Sequence, residues 1–127
     1  MAVALNHTII LTHDKDRAAR FLADVLGLPE PKPAYGFFLA VRLANDVTLL
    51  YEATDRDITP QHYAFLVSEA EFDQVLARLR AGRQEIWADP SKATPGEINT
   101  DNGGRGVYFH DPDGHFLEVI TRPYSGL

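Results

Sequence analysis

Apolar and polar residues along this chain switch between a period of two and a period near 3.6, and the switches mark out two similar halves. Leu5-Asn6-His7-Thr8-Ile9-Ile10-Leu11-Thr12 is rich in β-branched and apolar residues and predicts a strand, with Asp14 behind it as a helix N-cap. Ala18, Phe21, Leu22 and Val25 recur at helical spacing, which predicts a helix over about Lys15 to Leu26 that Gly27 closes in a left-handed cap. Pro29, Pro31 and Pro33 then argue against regular structure. Phe37 to Leu43 and Val47 to Tyr51 follow as two strands joined by a turn at Ala44-Asn45-Asp46.

A polar linker from Glu52 to Pro60 leads into His62-Tyr63-Ala64-Phe65-Leu66-Val67, another strand, and Ser68-x-x-Glu71 forms a capping box for a second helix. Phe72, Val75, Leu76 and Leu79 are its apolar stripe, and Gly82 ends it. Glu85-Ile86-Trp87 is expected as a strand before a loop bearing Asp89-Pro90 and Pro95-Gly96. Gly106 to His110 and Phe116 to Arg122 flank Asp111-Pro112-Asp113-Gly114, a type I turn, and so predict a hairpin.

The halves keep register, as a duplicated unit must. Gly27 lies 20 positions after His7, and Gly82 lies 20 positions after His62. Within the helices an offset of 54 matches Ala18 with Phe72, Phe21 with Val75, Leu22 with Leu76 and Val25 with Leu79. The expected architecture is therefore α+β: two strand–helix–strands modules, about residues 4–57 and 61–123, in a single domain of 127 residues, with the helices on the outer face of a curved mixed sheet.

Strand alternation then sorts the chemistry. Tyr63, Phe65, Leu117 and Val119 form the greasier, helix-facing set, which leaves His62 and Glu118 on the opposite, cavity-lining face. The repeat gives His7 the place in its module that His62 has in the other. Two imidazoles and one carboxylate hold a divalent metal and leave coordination positions open. Such a site suits iron, manganese, nickel or zinc, and favours a substrate that binds through an anionic pair of oxygens. If Val107 and Phe109 pair with Val119 and Leu117, Tyr108 faces Glu118 and lines the same cavity.

Composition narrows the function classes. Twelve Lys and Arg against 18 Asp and Glu give a formal charge of −6 with no basic stripe, so no nucleic-acid partner is expected. The chain has no cysteine, which excludes thiolate catalysis, disulfides and Cys-bound zinc. No apolar run approaches the roughly 20 residues that span a bilayer, and the N-terminal residues do not resemble a secretory signal, so the expectation is a cytoplasmic protein with no membrane partner.

The His7 strand with its Gly27-terminated helix, the His62 strand with its capped helix, and the closing Val107-Tyr108-Phe109-His110-Asp111-Pro112-Asp113-Gly114-His115-Phe116-Leu117-Glu118 resemble the vicinal oxygen chelate superfamily over essentially the whole chain. That superfamily includes glyoxalase I, extradiol dioxygenases and the fosfomycin and bleomycin resistance proteins. The resemblance implies paired βαβββ modules curled around one divalent metal per site, with His7, His62 and Glu118 as its ligands, Glu118 and Tyr108 as the catalytic residues, and a homodimer that shares its sites between chains. Glyoxalase I has a fourth carboxylate ligand in the last strand of its first module, where this chain has Leu50; Glu52 lies two residues beyond.

Three functions follow from the resemblance. Glyoxalase-like lyase or isomerase chemistry leads, an extradiol-type dioxygenase is the alternative, and a metal-free protein that sequesters a small-molecule drug is the third. Several further residues carry weaker expectations. Arg105, in the glycine-rich Asn102–Gly106 loop, is either a surface arginine or a clamp on an anionic substrate. Arg42 points away from Val41 and Leu43, Trp87 is cavity wall or core, His110 faces the cavity, and His115 sits in solvent at the turn.

Overall fold

A computed structural model describes residues 2–127. It divides into two compact units, the first running through Thr59 and the second spanning Pro60–Leu127. The first contains β1 (His7–Thr12), α1 (Lys15–Leu26), β2 (Lys32–Ala34), β3 (Phe38–Arg42) and β4 (Thr48–Ala53), and its sheet has the order β1-β4-β3-β2. The second contains β5 (His62–Leu66), α2 (Glu69–Ala81), a 3-10 turn at Asp101–Gly103, β6 (Gly106–His110) and β7 (Phe116–Ile120), in the order β5-β7-β6. The fold is α+β, with open, curved sheets.

In both units the first strand runs parallel to the last, which a helical crossover makes possible. Asp14 caps α1 by accepting from the Arg17 N–H, and Gly27 ends the helix at φ 69°, a left-handed conformation that costs a glycine nothing. The helix buries Ala18, Ala19, Leu22, Ala23 and Val25 and packs on β3 and β4. Leu22 is almost wholly enclosed, so truncating it to alanine would cost about 2–5 kcal/mol. Both halves of the expected capping box at α2 form: the Glu71 N–H donates to the Ser68 hydroxyl, and the Ser68 N–H donates to the Glu71 carboxylate. Phe72, Val75 and Leu79 are buried along α2, as are Val107, Phe109, Leu117 and Val119 in the sheet.

Two expectations about strands are corrected. Lys32–Ala34 is a strand despite Pro33, because it lies at the sheet edge, where a missing N–H breaks no ladder. Glu85–Trp87 is not a strand: only Trp87 is bridged, exchanging both backbone hydrogen bonds with Tyr108 at 2.9 and 2.8 Å. The loop behind it is pulled into turns, with the Gly96 N–H donating to the Ile86 carbonyl at 2.7 Å, so the pairing cannot propagate. The β6–β7 hairpin forms as expected, its turn closed by the Gly114 N–H donating to the Asp111 carbonyl. No helix among the described residues is long and apolar enough to cross a membrane.

Candidate metal centre

The register of the second unit's sheet assembles one chemically active face. His62 lies opposite Phe116, Ala64 opposite Glu118, and Tyr108 opposite Glu118 from the other side, as hairpin pairing of the apolar residues requires. Side chains two apart along a strand share a face, so His62, Phe116, Glu118 and Tyr108 gather there. Their rings form a continuous surface: His62 and Tyr108 stack with centroids 6.2 Å apart, and Tyr108 and Phe116 with centroids 5.4 Å apart. His110 and Trp87 extend it, each within about 6 Å of Phe116 or of one another, and Lys92 Nζ lies 4.9 Å from the Trp87 ring centroid.

His62 is held so that one nitrogen is committed and the other is aimed. Its Nδ1 is 2.9 Å from the Phe116 carbonyl, which can only accept, so Nδ1 carries the proton. Nε2 then turns its lone pair toward Glu118 Oε1, 3.1 Å away. Two electron-rich atoms at that distance need a cation between them, either a proton on Nε2 or a metal. Ligand atoms about 2.1 Å from one metal and at right angles stand about 3.0 Å apart, so the separation fits both. Metal-bound histidines characteristically donate their second N–H to a backbone carbonyl, as His62 does.

Glu118 is only 2% exposed, and its second oxygen is also engaged: the Tyr124 hydroxyl donates to Oε2. Tyr108 and Tyr124 hydroxyls lie 3.0 Å apart. Because the single Tyr124 proton goes to Glu118, Tyr108 is the donor in that pair. Burial, and then its hydrogen bond to Tyr124, push the Tyr108 phenol well above its ordinary range; burial and the bond to Glu118 raise Tyr124 likewise. Both phenols stay protonated at neutral pH. Tyr124 lies beyond β7 in a segment without regular structure, and only its aromatic character marked it in the sequence.

In the first unit, His7 is exposed on β1, and its Nδ1 lies 2.7 Å from Asn6 Oδ1, which leaves Nε2 as a lone-pair donor. It lines a cavity of about 420 Å³ with Ile9, Ala34, Tyr35, Phe38, Ala40, Thr48 and Leu50. His7 pairs with Thr48 and Ile9 with Leu50, so Leu50 has the same relation to His7 that Glu118 has to His62. Glu52 pairs with Leu11 at the far end of the strand. The structure thus brings His62, Glu118 and Tyr108 together in one unit and presents His7 in the other. Among the described residues, no three His, Asp or Glu side chains are gathered to hold a metal ion.

The weaker expectations resolve by partner. Arg105 is tied to α2: Nε donates to Glu69 Oε1 and Nη1 to Asp73 Oδ1, both at 2.8 Å, and the guanidinium lies over the Phe72 ring. These contacts match the surface-arginine alternative. Arg42 pairs with Asp46 in the neighbouring turn. Trp87 is buried and contributes its ring to the aromatic surface. The expectation that His115 sits in solvent is corrected: it is 1% exposed, and its Nδ1 accepts from the Gln61 N–H at 2.9 Å. The turn folds inward there because Asp111 Oδ1 accepts from the Asp113 and His115 N–H groups.

A family model described as the Glyoxalase/Bleomycin resistance protein/Dioxygenase superfamily matches residues 4–119. The solved structure of oxidase ChaP-H1 superposes with a TM-score of 0.95 at 55% identity, covering 98% of this chain and 100% of that one. Glutathione transferase FosA of Serratia marcescens is 32% identical over 147 aligned positions, which cover all of this chain and 95% of that protein. Metallothiol transferase FosB of Shouchella clausii (strain KSM-K16) is 33% identical, with 95% and 82% covered.

Proposed function

This chain belongs to the Glyoxalase/Bleomycin resistance protein/Dioxygenase superfamily, and on that premise we propose that it is a metal-dependent oxidase or dioxygenase. Its substrate is a small molecule that binds through two neighbouring oxygens. The observation that carries this reading is the His62–Glu118 pair, with a committed Nδ1 and an aimed Nε2. His7 is the third ligand. Full-length similarity to an oxidase at 55% identity favours the oxygen-consuming alternative over glyoxalase-like isomerisation, and so does leucine at the position of a fourth carboxylate.

A divalent metal bound there supplies Lewis-acid polarisation of the substrate oxygens and, as Fe(II), electrons for reducing oxygen. The chain's own residues do the rest. In the second unit Phe116 and Tyr108 offer a flat aromatic wall to a planar substrate, and in the first Ile9, Phe38, Ala40 and Leu50 line the apolar cavity beside His7. The Tyr108 hydroxyl, whose one proton goes to Tyr124, presents its oxygen lone pairs to accept from a substrate hydroxyl. Glu118 offers Oε1 as the ligand oxygen, with Tyr124 bound to its second oxygen and Tyr108 opposite it across the strand pair.

The test is to load metal-free protein separately with Fe(II), Ni(II) and Zn(II) and offer catechols, hemithioacetals, or fosfomycin with a thiol, while recording oxygen uptake. Catechol-dependent uptake with Fe(II) alone is expected. Hemithioacetal turnover without oxygen would install the glyoxalase-like reading instead, and thiol addition to fosfomycin a transferase. Inactivity in every arm would leave a binding protein.

A further inference from the structure

We propose that Tyr124 is a positioning residue that holds the Glu118 carboxylate to one oxygen. The inference rests on the reading of Glu118 as a metal ligand given above. Glu118 has two oxygens with separate partners: Oε1 faces His62 Nε2 at 3.1 Å, and Oε2 accepts the Tyr124 hydroxyl. A carboxylate can give a metal one oxygen or both. With Oε2 committed to a phenol, only Oε1 is offered on the His62 side, and a position that a second oxygen would fill stays open for substrate.

The bond is directional and supported. The carboxylate can only accept, so it takes the Tyr124 proton, and Tyr108 donates in turn to the Tyr124 oxygen across 3.0 Å. The strand backbone fixes Tyr108 opposite Glu118, which makes the relay a bridge from β6 to β7 by way of the segment beyond it. The Leu127 N–H donates to the Tyr124 carbonyl at 2.9 Å, closing a turn at that residue. Tyr124 is 36% exposed, so its ring adds little to the core, and losing the hydroxyl alone should leave the fold intact.

The experiment counts waters on a bound Mn(II) ion by its effect on water-proton relaxation, comparing native protein with Tyr124→Phe and Tyr124→Ala. Three protein ligands on a six-coordinate ion leave three water positions; a carboxylate that turns bidentate removes one, so relaxivity should fall by about one third in both variants. Unchanged relaxivity in Tyr124→Phe overturns the proposal, as does a fall in Tyr124→Ala alone, which would make the ring and not the hydroxyl responsible. Native protein that binds no Mn(II), Fe(II), Ni(II) or Zn(II) would remove the metal site itself and this inference with it. Metal binding with equal relaxivity would remove only the inference.

Discussion

Leu50 and Glu118 occupy the same position in the two units: each is the strand partner of the residue two beyond the opening histidine, Ile9 for His7 and Ala64 for His62. One unit thus carries histidine with carboxylate and the other histidine with leucine. Leucine in that place puts no carboxylate beside His7 and leaves an apolar wall there.

Leu50→Glu should therefore restore a fourth ligand. In metal-free protein it places a carboxylate at a site only 6% exposed and should lower stability by about 1–3 kcal/mol, since a buried unpaired charge is costly. Divalent metal should reverse the loss by mass action. Thermal unfolding with and without Zn(II) measures this: a larger metal-induced rise in Tm than in native protein is expected. Oxygen uptake should fall, because the added carboxylate takes a position that substrate needs.

Much of this site was legible because strand alternation is strict. Once Val107 and Phe109 are placed toward the helix, Tyr108 must face Glu118, and His62 follows from the parallel partner strand. Three things resisted reading for physical reasons. Trp87 makes only isolated bridges, to Tyr108 and Pro95, because the following turns capture the backbone, a contest that local propensity does not reveal. His115 is buried by a polar network that Asp111 builds through backbone donors, whereas a turn motif alone signals exposure. Tyr124 acts from a segment with no periodicity, so nothing in its neighbours says which way it points.

Arg105→Ala should weaken the fold without changing substrate binding. The side chain bridges Glu69 and Asp73 and covers Phe72, and its partners are mostly exposed, so the loss should be about 1–2 kcal/mol. Urea denaturation reads the stability, and the KM of the oxygen-uptake assay reads the binding. A rise in KM at unchanged stability would restore the anion-clamp role.

Asp89 gives the loop after Trp87 an acid-sensitive anchor. Its carboxylate accepts from the Ser91 hydroxyl, the Ala93 N–H, and the N–H and hydroxyl of Thr94, and these bonds, the Ser91 hydroxyl first, lower its pKa to about 2. The unfolded value is about 3.9. The folded value is the lower one, so the anchor contributes fully above about pH 4 and is lost as pH falls toward 2. Asp89→Asn should thus be less stable than native protein at pH 6, with most of the gap closed by about pH 2.5. Thermal melts of both proteins across that range would show a constant gap if the carboxylate were not the anchor.

The ligand set can be divided between two copies of the chain, and complementation tests the division. His62 and Glu118 stand together in one unit and His7 belongs to the other, and the family resemblance implies that His7 comes from a second copy. Consider His7→Ala and Glu118→Gln, each of which should bind metal at least tenfold more weakly than native protein when alone. In a mixed dimer with shared sites, one site receives both defects and the other receives none. About half of the dimers formed on co-refolding equal amounts are mixed, so bound metal should recover to roughly one quarter of the native amount, and Fe(II)-dependent oxygen uptake with it. Ligands drawn from a single chain would leave every site with one defect and the mixture as poor as its parents. Light scattering on the same samples reads the assembly directly, and a particle of 14.2 kDa would remove the shared site.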